Sequence, residues 1–156
     1  QLFIASCDYE TLYSHNKLNK LISDTTIDGI IWTFKLSNIL VKDFKSFAYC
    51  RTNKNKKILE IVEKNIISNN PENDQMVVGS FWFRKPNDFF YAIDDSIKNK
   101  NLINGEYYIG NSLNYLIRKK RKKFVTFEIE NWISYGNPFE LNIYNYWDEY
   151  FNQKKY

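Results

Sequence analysis

Apolar residues occur along the chain in short runs of two spacings, continuous or alternating in some segments and three to four apart in others. LFIAS (2–6) is a continuous apolar run that ends in Cys7-Asp8-Tyr9, the pattern of a buried strand delivering an acid at its carboxyl end. NKLNKLISD (16–24) places Leu18, Leu21 and Ile22 on one helical stripe. GIIWTFK (29–35) is the next strand. After a mixed break, 47–52 and 57–64 read as a strand pair around TNKNK, where Asn53 and Asn55 tolerate left-handed geometry. The stretch 66–74 is a loop, and MVVGSFWF (76–83) is a strand interrupted by Gly79, which marks a bulge or a close approach of backbone to a ligand.

Further on, Asn87 or Asp88 caps a helix running through FFYAIDDSIKNK (89–100) with Phe89, Phe90, Ile93 and Ile97 on one face. A turn at Asn104-Gly105 leads to a second helix over 111–119, and 123–132 returns as a strand. Pro138 opens a last helix with a largely aromatic stripe, Phe139, Ile143, Tyr146, Trp147 and Tyr150, expected by default to bury within the domain. Strands alternating with helices indicate an α/β domain with a mixed, mainly parallel sheet, and such sheets take ligands outside the carboxyl ends of their strands. No repeat or linker divides the chain, so residues 1–156 are assigned to one domain. The buried run at Leu2 follows Gln1 with no cap or turn, so the expectation is an interior strand of a larger sheet, truncated at its N-terminal side.

The composition narrows the class. With 156 residues, 44% of them hydrophobic and only 5 Gly and 3 Pro, the chain can bury a core without disulfides and is not disordered. No apolar run reaches the ~18 residues of a membrane span, so no membrane association is expected. Cys7 and Cys50 have no CxxC or Cys/His spacing and read as reduced thiols of a cytoplasmic protein, with no zinc. The net charge of +4 suits a phosphorylated substrate. RKKRKK (118–123) lacks interleaved aromatics and reads as a solvated helix end, so nucleic acid is not an expected partner. His15, the only histidine, has no identifiable nucleophile beside it, and no Gly-rich phosphate loop is present.

Three places can carry chemistry. Asp8, at the end of a buried strand, can ligate a hard cation such as Mg²⁺ or simply cap the following turn. In Glu63-Lys64 the two side chains point to opposite faces unless the strand ends there; the lysine can offset a phosphate charge, or the pair can be a solvated edge. Glu106, after Gly105, can accept hydrogen bonds from a polyol or serve as helix-end electrostatics.

In order along the chain, five segments resemble the sugar-phosphate nucleotidyltransferases, which join a sugar 1-phosphate to a nucleoside triphosphate and release pyrophosphate. They are IASCD (4–8), ILEIVEK (58–64), VVGSFWF (77–83), NGEYYIGNSLNYL (104–116) and WISYGNPFEL (132–141). The last helix is most similar to a branch of that family found with capsule and surface-polysaccharide genes. The resemblance implies a Rossmann-like α/β/α sandwich of the nucleotide-diphospho-sugar transferase type and a Mg²⁺-dependent enzyme. Its partners would be a sugar 1-phosphate and a nucleoside triphosphate, and its oligomeric state stays open.

The resemblance also implies residue roles. Asp8 would hold Mg²⁺ and Lys64 would neutralise the sugar phosphate, which makes these two the catalytic candidates. Glu63 and Glu106 would bind sugar hydroxyls, the Gly79 backbone would lie against the sugar, and Tyr49 would border its pocket. The second metal position falls on Ser134, a weaker ligand than the family's acid, and Tyr49 is followed by Cys50 where relatives carry Gly. The family's Gly-rich nucleotide loop has no counterpart after Gln1, so the chain is expected to be the sugar-binding portion and inactive alone. Two alternatives remain: a non-catalytic nucleotide-sugar-binding or regulatory relative, and a glycosyltransferase of similar fold. Substrate choice would lie in loops 36–46 and 65–75.

Overall fold

The structure, a computed structural model, describes residues 1–35 and 44–153; most of the expected specificity loop 36–46 lies outside them. Every residue of β3 (Gly29–Phe34) is buried, and its alternation supplies both faces of the sheet. Ile30, Trp32 and Phe34 enter one core, and Ile31 enters a second on the opposite face. Helix α1 (His15–Ser23) covers the first through Leu18, Leu21 and Ile22. Helices α2 (Pro86–Lys98) and α3 (Ile109–Asn114), the latter continuing as a π-helical turn over Tyr115–Lys119, cover the second through Ala92, Leu113 and Leu116. The result is the expected α/β/α layering.

The six-stranded sheet runs β5 (Ile58–Glu63), β4 (Ala48–Thr52), β6 (Gln75–Phe83), β3, β7 (Phe124–Glu128), with β1 (Leu2–Ile4) also on β6. It is mixed, but the expected parallel majority is reversed: among the described residues only β3 and β7 pair in parallel. The cause is local connection. β4 and β5 form a hairpin, and β6 runs back antiparallel to β1, β3 and β4.

Between Ile31↔Phe81 and Thr33↔Val77, two residues along β3 match four along β6. Gly79, at φ +104°, sits in that bulge, a conformation L side chains rarely adopt. A small second sheet pairs β2 (Tyr9–Leu12) with β8 (Asn131–Ser134) antiparallel, Tyr9 opposite Ser134. The sequence reading has no strand at 9–12 and one continuous strand over 123–132. The chain instead leaves the main sheet after β7, because Ile129 N–H bonds back to Thr33 while Glu130 N–H turns to the Leu12 carbonyl.

The helices differ from expectation in two ways. α2 starts with Pro86 after Lys85, with no side-chain cap, and buries Asp88, Ala92 and Ser96. Phe90 and Ile97 are left more than half exposed. On the buried face of α2 the Asp88 carboxylate meets the ammonium of Lys122, which lies 3.2 Å from both Asp28 and Asp88. The basic run therefore has structural work at several positions, since Arg118 pairs with Glu60 at 2.5 Å and Lys123 donates to Thr26. Helix α4 (Pro138–Gln153) buries no residue; its stripe is exposed, with Trp147 and Phe151 stacked on each other at 5.9 Å. Among the described residues no helix is long and apolar enough to cross a membrane.

Candidate functional site

One cleft of about 570 Å³ gathers Asp8, Glu63, Lys64, Gly79, Tyr108 and Ser134 from five separate segments. Each arrives by a local device. Asp8 follows β1 as the chain turns into β2, where its carbonyl accepts from the Tyr135 amide at 3.0 Å, and its side chain stays exposed. A Cβ on Gly136 would come within 3.0 Å of Asp8 Oδ2, so the glycine leaves room for the carboxylate. Gly79 packs its α-carbon against Ser6, whose Oγ would lie 2.9 Å from an added Cβ. The close backbone approach read from the sequence is made to the loop after β1, and the bulge still borders the cleft.

Glu63 and Lys64 line the same cleft although strand alternation would send them apart. Lys64 has φ +52°, so β5 ends in a left-handed residue that turns the lysine to its neighbour's side. The Lys64 amide donates to the Phe47 carbonyl and its ammonium to the Ser46 carbonyl at 2.6 Å, 5.5 Å from the Tyr108 ring centre. Glu63 packs against the first turn of α3. Burial pushes its carboxyl up to about 7, while Lys64 and the Asn111 backbone amide pull the other way. Burial, and secondarily Glu63, pushes the Cys50 thiol far above its ordinary range, so it stays a neutral thiol. Neither cysteine is in a disulfide.

Two expected residues are placed elsewhere. Tyr49 is fully buried beneath the site, its hydroxyl donating to the Phe44 carbonyl at 2.7 Å, because a β4 side chain on that face enters the α1-side core. Glu106 is exposed and does not line the cleft; it accepts a hydrogen bond from Tyr108, whose hydroxyl is pushed up by that acceptor. Tyr108 itself borders the cleft, so the carboxylate reaches the site through the ring. The Ser134 hydroxyl donates to Glu140 at 2.7 Å, an acid from the first turn of α4 that sequence reasoning missed. Its signal was the spacing of six residues from Ser134, which carries no meaning until α4 folds beside β8.

Among the described residues no group of three or more His, Cys, Asp or Glu could hold a metal by itself. Asp8 in the cleft with the Ser134 hydroxyl supplies one carboxylate and one neutral oxygen. That set fits Mg²⁺ chemistry, in which one or two carboxylates act together with waters and substrate phosphates.

No family model matches the chain, and no curated protein matches it. Solved structures do. A nucleoside-diphosphate-sugar pyrophosphorylase from Vibrio cholerae RC9 superposes with a TM-score of 0.68 at 18% identity, over 92% of this chain and 57% of that one. A Bacillus anthracis protein described as a glucose-1-phosphate thymidylyltransferase, crystallised with sucrose, gives 0.63 at 19% identity, over 92% and 52%. The chain thus spans a little over half the length of these neighbours. At such identities the likeness is one of fold, and the fold is that of these sugar-nucleotide enzymes.

Proposed function

We propose that this chain forms the sugar-phosphate side of a nucleotidyltransferase, which joins a sugar 1-phosphate to a nucleoside triphosphate with release of pyrophosphate. The observation that carries the reading is the convergence of Asp8, Glu63, Lys64, Gly79 and Ser134 on one cleft in a fold shared with sugar-nucleotide enzymes. In the proposed reaction a phosphate oxygen of the sugar attacks the α-phosphorus, a new P–O bond forms, and the bond to the β-phosphate breaks with its electrons leaving on pyrophosphate. Such chemistry asks a protein mainly to position the attack and offset charge.

Lys64 leaves the Ser46 carbonyl and neutralises the sugar phosphate. Glu63 meets sugar hydroxyls, and near neutral pH its raised carboxyl can both donate and accept. Glu106 fixes the Tyr108 ring as one wall. Asp8, with Ser134 close by, would hold Mg²⁺, which when bound offsets the charge of the phosphates. A binding-only reading has one observation in its favour, the Ser134 hydroxyl already committed to Glu140.

Pyrophosphate release from sugar 1-phosphate and nucleoside triphosphate panels, measured on a polypeptide containing this chain, separates the two. Turnover that Asp8→Asn abolishes supports the enzyme. Tight nucleotide-sugar binding without turnover supports the binding-only reading, and turnover unchanged in Asp8→Asn removes Asp8 from the chemistry.

A further inference from the structure

Among the described residues β5 is the outermost strand of its sheet, so the backbone groups on its outer edge need partners. At Ile61 they are satisfied by a side chain. The Ile61 amide donates to Asn114 Oδ1 at 2.9 Å, and Asn114 Nδ2 donates to the Ile61 carbonyl at 2.8 Å. The carboxamide thus takes the place that a neighbouring strand would fill. Asn114 is the last residue of α3, at the point where the helix widens into the π-helical turn Tyr115–Lys119.

Two residues after Ile61, on the same face of β5, comes Glu63. The start of α3 rests on both: a Cβ on Gly110 would overlap Glu63 Oε1 and stand 3.2 Å from Ile61 Cγ2. The Asn111 backbone amide, on the same first turn, bonds Glu63. One end of α3 is therefore tied to Ile61 and the other carries the seat of Glu63. A slip of the helix along the strand would break both.

We propose that Asn114 is a positioning residue for Glu63, fixing α3 against β5 so that the carboxylate stays seated at Gly110 and Asn111. That Glu63 binds a sugar rests on the function proposed above, whereas the seat does not. The other titratable groups that act on Glu63 are Lys64 on its own strand, Cys50 on β4 and Tyr108 ahead of α3.

The test is carboxyl ¹³C NMR of the 156-residue chain, with Glu63 assigned through Glu63→Gln. Its titration is compared in wild type, Asn114→Leu, Asn114→Asp, and the core variant Leu116→Ala as a control for general destabilisation. We expect Asn114→Leu to lower the Glu63 midpoint by roughly one pH unit or more as the carboxylate gains water. The Asn111 amide should lose exchange protection in the same variant. Asn114→Asp, which keeps the acceptor for the Ile61 amide, should recover part of both, and Leu116→Ala should leave the midpoint in place. An unchanged midpoint in folded Asn114→Leu, or an equal change in Leu116→Ala, overturns the proposal. Calorimetry with a panel of sugar 1-phosphates forms a separate arm: absence of binding by wild type across the panel counts against the proposed function, while the NMR result still decides the role of Asn114.

Discussion

Glu63 and Gly110 fit together only because Gly110 has no side chain: a β-carbon there would overlap the Glu63 carboxylate and crowd Ile61. On helix propensity alone, Gly110→Ala would gain about 1 kcal/mol. Overpacking a closed contact costs about 1–3 kcal/mol; here the Glu63 carboxylate, the far end of its side chain, has to swing aside, and Ile61 Cγ2, 3.2 Å from the added atom, has to give slightly. Set against the propensity gain, the crowding leaves Gly110→Ala less stable by up to about 2 kcal/mol in urea unfolding. A stabilised variant would show that α3 is free to lift off β5.

Because burial raises the Glu63 carboxyl from 4.5 to about 7, the folded state holds this proton more tightly than the unfolded state. Stability from this group is therefore full below pH 4.5 and is lost as pH rises through about 7. The loss is at most about 3 kcal/mol. Urea midpoints at pH 5 and pH 8 should differ more in wild type than in Glu63→Gln. An equal difference in both proteins would mean that Glu63 titrates as an ordinary carboxylate.

Lys122 sits between two carboxylates, and the Asp88 side chain is only 7% exposed. Removing the cation strands a buried charge, which typically costs about 3–5 kcal/mol. Lys122→Met should fall in that range by chemical unfolding. Adding Asp88→Asn should return much of the loss, since the remaining polar group is neutral. Additive losses would contradict the pairing.

The Ser134 hydroxyl reaches Glu140 at 2.7 Å. Ser134→Asp puts two carboxylates side by side, a repulsion between about 1 and 4 kcal/mol at roughly 4 Å depending on exposure. In chelator the variant should melt below wild type, and millimolar Mg²⁺ should restore it while leaving wild type nearly unchanged. A melting temperature indifferent to Mg²⁺ would argue against a cation position at this end of the cleft.

Much of the fold is visible in the sequence because its strongest elements carry local signals. The fully buried GIIWTF run became β3, the TNKNK turn joined β4 to β5, and Gly79 marked a bulge. The resemblance to the sugar-phosphate nucleotidyltransferases implies roles for Asp8, Glu63, Lys64 and Ser134 in one site, and these four residues line one cleft. What stayed hidden depends on tertiary pairing. YETL is short and alternates polar with apolar, so its pairing with β8 could not be read from itself. The buried face of α2 carries Asp88, whose partner Lys122 lies far along the chain, and the positive φ of Lys64 reverses the side that strand alternation assigns to it. Asn114 and Glu140 matter only for what the fold places beside them.

The central claim is a sugar-phosphate cleft with Lys64 as its phosphate cation, and calorimetric titration of the chain with sugar 1-phosphates tests it most directly. Wild type should bind at least one sugar 1-phosphate more tightly than the free sugar. Lys64→Met should weaken that binding by about 10- to 100-fold, the value of one charge-assisted hydrogen bond of about 1.5–3 kcal/mol. Binding of the free sugar should stay unchanged in the variant. Sugar 1-phosphate binding that is equally tight in wild type and Lys64→Met, or absent across the panel, would contradict the account.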